Sequence, residues 1–307
     1  MESDFKKVLQ LPKMKKLNLT IVIPTRNRLK LLTKTLTHLK KNNFFFREII
    51  IVDSSDKEKK RKLNELKLNF DIKIINCTPG ISKQRNEGLR NVNKNSKYVM
   101  FLDDDIIFEK NSITKMYNFL KLNPKCAGVG FNLMIKNINK YVERIKKYKL
   151  IKYLGIYDNK NGKVTPSGWQ TKAINLKKNE YVDWLPTQAV IYSYQKIKQK
   201  KFDTNYGSYS YLEDLDFSYN LKNKGLIINS QAKYSSDNDV KRNPFFFGLK
   251  EIVNRYYFVK KFNLSKFNFL IGCLFLIIKH LILFFSFKPI YLIRIIGNFA
   301  GLIKITT

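Results

Sequence analysis

Three observations predict an α/β chain built on a largely parallel sheet. Short apolar runs of strand length alternate with segments of helical apolar spacing, and the connections between them are short. Polar or acidic residues close these runs at "PTRN" (24–27), at Asp53 and at Asp103–Asp105. In such sheets ligands bind beyond the carboxyl ends of the strands, so three strand ends direct polar groups toward one rim. The composition is that of a folded protein: 307 residues, 44% hydrophobic and 14% aromatic, enough for one large core or two modest ones.

The elements follow in order. A basic leader (1–17) precedes "NLTIVIP" (18–24), which reads as a buried strand, and "LKLLTKTLTHLKK" (29–41) has helical spacing. "REIIIVDSS" (47–55) is a second β-rich run, "DKEKKRKLNELK" (56–67) suits an exposed helix, and "DIKII" (71–75) is a third strand. "CTPG" marks a turn before a helix over 81–92, and "YVMFL" (98–102) is a fourth strand. Ser112 is placed to cap a helix over 113–122 that Pro124 ends, and "CAGVGF" (126–131) is another strand. Residues 132–180 lack clear patterning and read as an insertion. β character resumes in "EYVDWLPTQAVIYS" (180–193). "YLEDLDFSYNLKNKG" (211–225) suggests a helix starting near Glu213 with Gly225 past its end, and "LIINSQAKYSS" (226–236) is the last strand.

The net charge of +34 fits an anionic partner such as nucleic acid, an acidic membrane surface or a phosphorylated substrate, although AT-rich coding accounts equally well for much of the Lys excess. Three widely separated cysteines show no disulfide or metal spacing, so a reducing cytosol is expected. The first twenty residues hold no apolar h-region, the pattern of a chain without a signal peptide. Two histidines make His-based catalysis and His-rich metal sites poor fits.

Against this basic background the run "LDDD" (102–105) stands out, because three adjacent carboxylates repel one another unless something cationic sits among them. With no His or Cys nearby, such a cluster suits a hard divalent ion, Mg²⁺ or Mn²⁺, that bridges to substrate phosphates. Solvated turn residues at a strand end are the plainer alternative.

Five blocks, "TIVIPTRNR", "EIIIVDSSD", "GISKQRNEGL", "YVMFLDDDI" and "YLEDLDFSYNLKNKG", stand in the order and approximate spacing of family-2 glycosyltransferases, which the chain resembles over about residues 18–235. The resemblance implies the GT-A nucleotide-sugar-binding fold. It implies that Pro24, Thr25 and Asn27 cradle the nucleoside, that Asp53 accepts hydrogen bonds from base or ribose, and that Arg85 approaches base and diphosphate. A helix cap is the alternative role of Asp53, and a solvated helix face that of Arg85. The D-x-D pattern of the family maps onto Asp103 and Asp105, with Asp104 between on the nucleotide side. Asp103 is then expected to face ribose and Asp105 to ligate the metal, which takes up charge on the departing diphosphate.

"ED" at Glu213–Asp214 matches the family's acceptor-side pair. By that match Asp214 is the base that deprotonates the acceptor hydroxyl in an inverting reaction, and Glu213 binds or orients acceptor. Favourable placement at a helix start explains the same acids, Asp216 included, without catalysis. Asp183 and Trp184 occupy the block before the acceptor site, where "LPTQA" departs from the small residues usual in the family. The Q-x-x-R-W block and multiple spans of the processive members are missing. The basic aromatic segment 240–262 is expected to fold over the diphosphate instead, with Arg242 or Arg255 as its cation.

From Val240 to Thr307 there are eleven Lys/Arg and one acid, Glu251, around the apolar runs 267–287 and 290–303. The first run approaches bilayer-spanning length but carries Lys279 and His280 in its middle. Interfacial helices, a span or re-entrant hairpin, and a buried core all fit. The expected organisation is a leader (1–17), a GT-A domain (18–236) and a helical membrane-associating segment (237–307). The expected activity is divalent-metal-dependent, inverting transfer of one sugar from a nucleotide-sugar donor to a glycan or lipid-linked acceptor. It is expected in surface-polysaccharide assembly, on the anionic cytoplasmic face of the cell membrane, as a peripheral or monotopic protein. A nucleotidyltransferase would open with a Gly-rich loop that "PTRNR" lacks. A basic nucleic-acid-binding protein leaves the aspartates unexplained and shows no recognition motif, so no nucleic-acid partner is expected.

Overall fold

In a computed structural model of the chain, residues 15–40, 44–58, 71–136, 149–207, 210–236, 242–286 and 288–307 are described. Among the described residues nine strands form the main sheet: β1 (Leu19–Thr25), β2 (Glu48–Asp53), β3 (Ile72–Asn76), β4 (Tyr98–Leu102), β5 (Ile106–Phe108), β6 (Gly128–Leu133), β7 (Glu180–Tyr181), β8 (Ala189–Ser193) and β9 (Leu226–Ser236). They make one sheet in the order β3-β2-β1-β4-β8-β6-β9-β5, with β7 paired to β9. Strands β3, β2, β1, β4, β6 and β9 run one way, and β8, β5 and β7 run against them, so the sheet is mostly parallel as the sequence predicts.

Helices α1 (Leu29–Lys40), α2 (Ile81–Arg90), α3 (Ser112–Leu122) and α4 (Glu213–Tyr219) accompany the sheet. Strand alternation sorts the core into two layers. Ile21, Ile23, Ile49, Ile51, Met100 and Leu102 pack on one face with Leu32, Leu36 and Leu39 of α1 and with Met116 of α3. Val22, Ile50, Val52, Val99 and Phe101 fill the other face with Leu89 of α2 and Phe217 of α4. Gly88 lets α2 approach that face, because a Cβ there would stand 2.2 Å from Val22 Cγ1.

Three stretches differ from expectation. The run 180–193 divides into β7 and β8, because Asp183 and Trp184 are pinned to the loop before them. The helix expected from near Glu213 to just before Gly225 starts as predicted but stops at Tyr219, where Leu221 N bonds Ser218 O in a tighter turn, and a short 3₁₀ turn then covers Lys222–Lys224. In the charged segment 56–67 only 57–58 are seen as helical, and the rest lies outside the described residues.

The C-terminal part folds into helices α5 (Pro244–Lys261), α6 (Lys266–Phe285) and α7 (Ile290–Thr306). α5 and α7 meet backbone to backbone through glycines: a Cβ on Gly248 would lie 2.3 Å from Arg294 O, and one on Gly297 would lie 2.2 Å from Phe245 O. α5 also joins the sheet domain. Arg255 is fully buried, donates to Gly168 O, Gln170 Oε1 and Tyr211 Oη, and lies 4.5 Å over the Trp169 ring. Lys261 bridges Asp203 and Asp216. α6 is long and apolar enough to cross a membrane, and 33% of that apolar stretch is buried. Its outward side exposes Phe267, Leu270, Leu274, Ile282 and Phe285, and α7 adds Ile293, Ile296, Phe299 and Ile303.

Candidate active site

The carboxyl ends of β1, β2 and β4 stand side by side, as the parallel register of these strands requires. Residues of β1, β6, β9, α2, α4, the loop after β4 and the C-terminal helices line one cavity of about 770 Å³. Pro24, Arg85, Asp103, Asp104, Trp184, Glu213 and Asp214 are among its lining residues. The structure therefore gathers both the strand-end and the helix-start acids, which lie more than a hundred residues apart in the chain.

Two arginines supply the cations that the aspartate triplet needs. Arg28, directly after the "PTRN" turn, donates from its two terminal nitrogens to Asp104 Oδ1 at 2.7 Å and to Asp105 Oδ2 at 2.9 Å. The Thr25 hydroxyl donates to the other Asp104 oxygen at 2.6 Å. Arg85, buried on α2, donates to Asp103 Oδ1 at 3.0 Å and to Glu213 Oε1. A planar guanidinium with divergent N–H groups suits this bridging, which a lysine would not reproduce. Arg28 had no assigned role in the sequence reading; the signal was an arginine directly after a strand-end turn, in a fold that brings strand ends together.

Burial raises the carboxylates. It pushes Asp104 up to about 7, opposed by the Thr25 hydrogen bond and by Arg28. Burial raises Asp103 as well, opposed chiefly by Arg85. Glu213 rises to about 8 through burial and the neighbouring charge of Asp214, with Arg85 opposing, and burial also raises Asp214. A carboxylate pair held this way carries its proton nearer neutrality than free acids do, as a general base working near pH 7 requires.

Glu213 Oε1 accepts from Arg85, whereas Asp214 takes a first-turn helix N–H, so favourable placement at a helix start still accounts for part of the Asp214 geometry. Asp214 is half-exposed to the cavity and accepts from Leu215 N at 2.8 Å. Asp216 turns away and accepts from Tyr206 Oη and Lys261. Leu212, just before the pair, has φ 79°, a left-handed backbone that leucine rarely adopts, so the turn presenting the acids is strained.

The remaining sequence-derived residues fall elsewhere. Asp53 is buried, and its Oδ1 takes the N–H and hydroxyl of Ser55, while Oδ2 has no hydrogen-bond partner among the described residues. Asn27 exchanges hydrogen bonds with Asp56 and donates its N–H to Ser55 Oγ. Asp183 is bound by Lys163 Nζ at 2.9 Å and Val164 N at 3.0 Å, and does not line the cavity. Trp184 does line it, with its indole N–H held by Thr171 O. Arg242 lines the cavity too, whereas Arg255 is consumed in packing.

The residues fit a hard cation in one respect: Asp105 Oδ1 is a buried acceptor with no hydrogen-bond partner among the described residues. No group of three His, Cys, Asp or Glu side chains among the described residues forms a cage, so water and diphosphate oxygens would complete the coordination.

A family model described as glycosyl transferase family 2 matches residues 20–180. No curated protein sequence matches the chain significantly. Among solved structures, S. aureus TarS 1–349 aligns with TM-score 0.49 and 17% identity over 76% of this chain and 62% of that one. Its complex with UDP-GlcNAc aligns with TM-score 0.48 and 16% identity, over 76% and 64%. GalNAc-T7 with UDP, GalNAc and Mn²⁺ aligns with TM-score 0.53 and 15% identity over 72% of this chain and 44% of that one, a likeness of fold alone. The chain thus spans less than two thirds of each of these structures.

Proposed function

The chain belongs to glycosyl transferase family 2, and from that premise we propose that it moves one sugar, with inversion, from a nucleotide-sugar donor to a glycan or lipid-linked acceptor. The observation that carries this reading is Arg85, which ties Asp103 on the donor side to Glu213 on the acceptor side across one cavity. Donor residues on this reading are Pro24, Thr25, Asn27, Asp53, Arg85, Asp103 and Asp104. Asp214 takes the proton of the acceptor hydroxyl as its oxygen bonds the anomeric carbon. The bond from that carbon to the diphosphate breaks, and the nucleoside diphosphate leaves with the electron pair. Glu213 orients acceptor, and the Trp184 ring forms part of the wall against which it lies; Asp183 acts through the loop it holds.

Asp105, with its free oxygen, would hold Mg²⁺ or Mn²⁺. When bound, that ion supplies Lewis-acid stabilisation of the departing diphosphate. Arg28 holds Asp104 and Asp105 at fixed separation, so the strand end keeps its shape before donor arrives.

The exposed apolar side of α6 and α7, within a segment of eleven Lys/Arg and one acid, supports attachment to an anionic membrane face through interfacial helices. Residues 237–307 are on this reading the membrane-associating segment, 18–236 the catalytic domain and 1–17 a leader, with surface polysaccharide as the product class. The test is a donor-hydrolysis screen over UDP-, GDP-, dTDP- and CMP-sugars with Mg²⁺ or Mn²⁺. Metal-stimulated release of nucleoside diphosphate from one donor class supports the reading, and no release from any donor opposes it.

A further inference from the structure

The cavity has a second charged wall, built from the C-terminal helices. Arg242, Glu251, Lys279 and Arg294 all line it, together with Phe247. Arg294 donates to Glu251 Oε2 at 3.0 Å, so the one carboxylate that lines this wall among the described residues is already matched. The guanidiniums of Arg242 and Arg294 lie over the same Phe247 ring, at 5.0 and 4.3 Å, which holds the two cations near each other. Lys279 sits half-buried in the middle of an apolar helix and makes no hydrogen bond or ion pair with any described residue. Burial holds its ammonium below the usual lysine range, and the charges it feels are those of Glu251, Arg294 and Arg255, not those of the aspartate triplet. Lys279 thus stands without a partner among the described residues, beside Arg294 with its matched acid and close to Arg242, and a bound anion would balance this partly desolvated ammonium.

Beside these cations the helices turn apolar. Ile278 and Ile282 flank Lys279 on α6, Ile293 and Ile296 flank Arg294 on α7, and all four are exposed. A ligand seated on this wall meets cations inside the cavity and hydrocarbon surface outside it.

We propose that Lys279, Arg294 and Arg242 form an anion subsite for the acceptor, and that the acceptor is an amphiphile whose phosphate or diphosphate group sits among these cations while its apolar tail lies along α6 and α7. This rests on the glycosyl-transfer reading for its sugar-accepting end, and it assigns the charge at the other end. A donor diphosphate offers the same chemistry, and the experiment separates the two.

Titration calorimetry on the full chain compares dodecyl phosphate, kept below its critical micelle concentration, with dodecyl maltoside and with UDP plus Mn²⁺. The wild type is expected to bind dodecyl phosphate at least about tenfold more tightly than dodecyl maltoside, the worth of one or two charge-assisted hydrogen bonds. Lys279→Gln is expected to remove about that factor and Lys279→Arg to restore most of it, with UDP affinity unchanged in both. Equal affinity for the phosphate and the maltoside, or an unaffected Lys279→Gln variant, would overturn the subsite. Parallel loss of UDP and dodecyl phosphate binding in Lys279→Gln would overturn the acceptor assignment and give the cations to the donor diphosphate. UDP that binds none of the proteins would sink the donor reading, while the dodecyl comparison still decides the anion subsite.

Discussion

At the scale of single residues, the site is organised by two guanidiniums that bridge four carboxylates. Arg85 is the more deeply buried, and both of its partners are largely withdrawn from water. Replacing it with leucine leaves Asp103 and Glu213 without their counter-charge, so we expect a loss of about 3–5 kcal/mol of stability, read from chemical denaturation. Arg28→Ala is expected to cost less, because that side chain is 31% exposed. Glu213 and Asp214 allow a sharper division. A group that acts only in proton abstraction contributes little to donor affinity but about 10²–10⁴-fold to rate. Asp214→Asn is therefore expected to bind nucleotide sugar like wild type and to transfer poorly, whereas Glu213→Gln raises acceptor KM more than it lowers turnover. If the acids only favour a helix start, both variants lose about 0.5–2 kcal/mol and lose activity in proportion to unfolded protein, which melting curves beside turnover assays will reveal.

At the scale of elements, the strands were legible and the partners of their terminal residues were not. Alternation in "TIVIP", "EIIIV" and "YVMFL" places one set of side chains on each face of the sheet, a local property that survives into the two core layers. The ties on Asp183, Arg28 and Arg255 depend on loops brought from elsewhere in the chain, and no local spacing encodes them. The close contact of α5 and α7 was legible only in part: Gly297 and Gly301 stand four residues apart and both face α5, but nothing local pairs them with Gly248. Gly297→Ala is expected to push these helices apart and cost about 1–3 kcal/mol, seen as a lower melting temperature.

His280 provides a pH signature for the same helices. It is buried on α6 with Nδ1 3.0 Å from Asn298 Oδ1. Burial and then Lys279 push its pKa down to about 4, Arg294 adds to this, and Glu251 and the Asn298 hydrogen bond oppose it. The unfolded chain takes up this proton near pH 6.5 and the folded one near 4, so stability from the neutral ring is complete above about 6.5 and falls as pH drops toward 4. The melting temperature of His280→Gln should fall less steeply over that window than that of wild type, and identical slopes would contradict the assignment.

At the scale of the whole molecule, one side gathers the acidic strand-end rim and the C-terminal helices around a shared cavity. The integration of α5 through Arg255 and Lys261 means that removing the segment would strip the sheet domain of buried contacts, so surface substitutions test the membrane contact more cleanly. Full-length protein is expected to co-sediment with anionic liposomes, less so at high salt, and Ile282→Gln with Ile296→Gln should weaken this without lowering the melting temperature. Undiminished sedimentation of that double variant would move the contact elsewhere. The central claim is that strand-end aspartates hold the donor while the helix-start acid performs the chemistry. The most direct measurement is calorimetric titration of the nucleoside diphosphate of the active donor, with and without Mn²⁺, into wild type, Asp105→Asn and Asp214→Asn, beside donor turnover by each. The account expects Asp105→Asn to lose the Mn²⁺-dependent gain in affinity, and Asp214→Asn to keep it while transfer collapses. Wild-type metal-dependent affinity in Asp105→Asn, or wild-type transfer by folded Asp214→Asn, would contradict it.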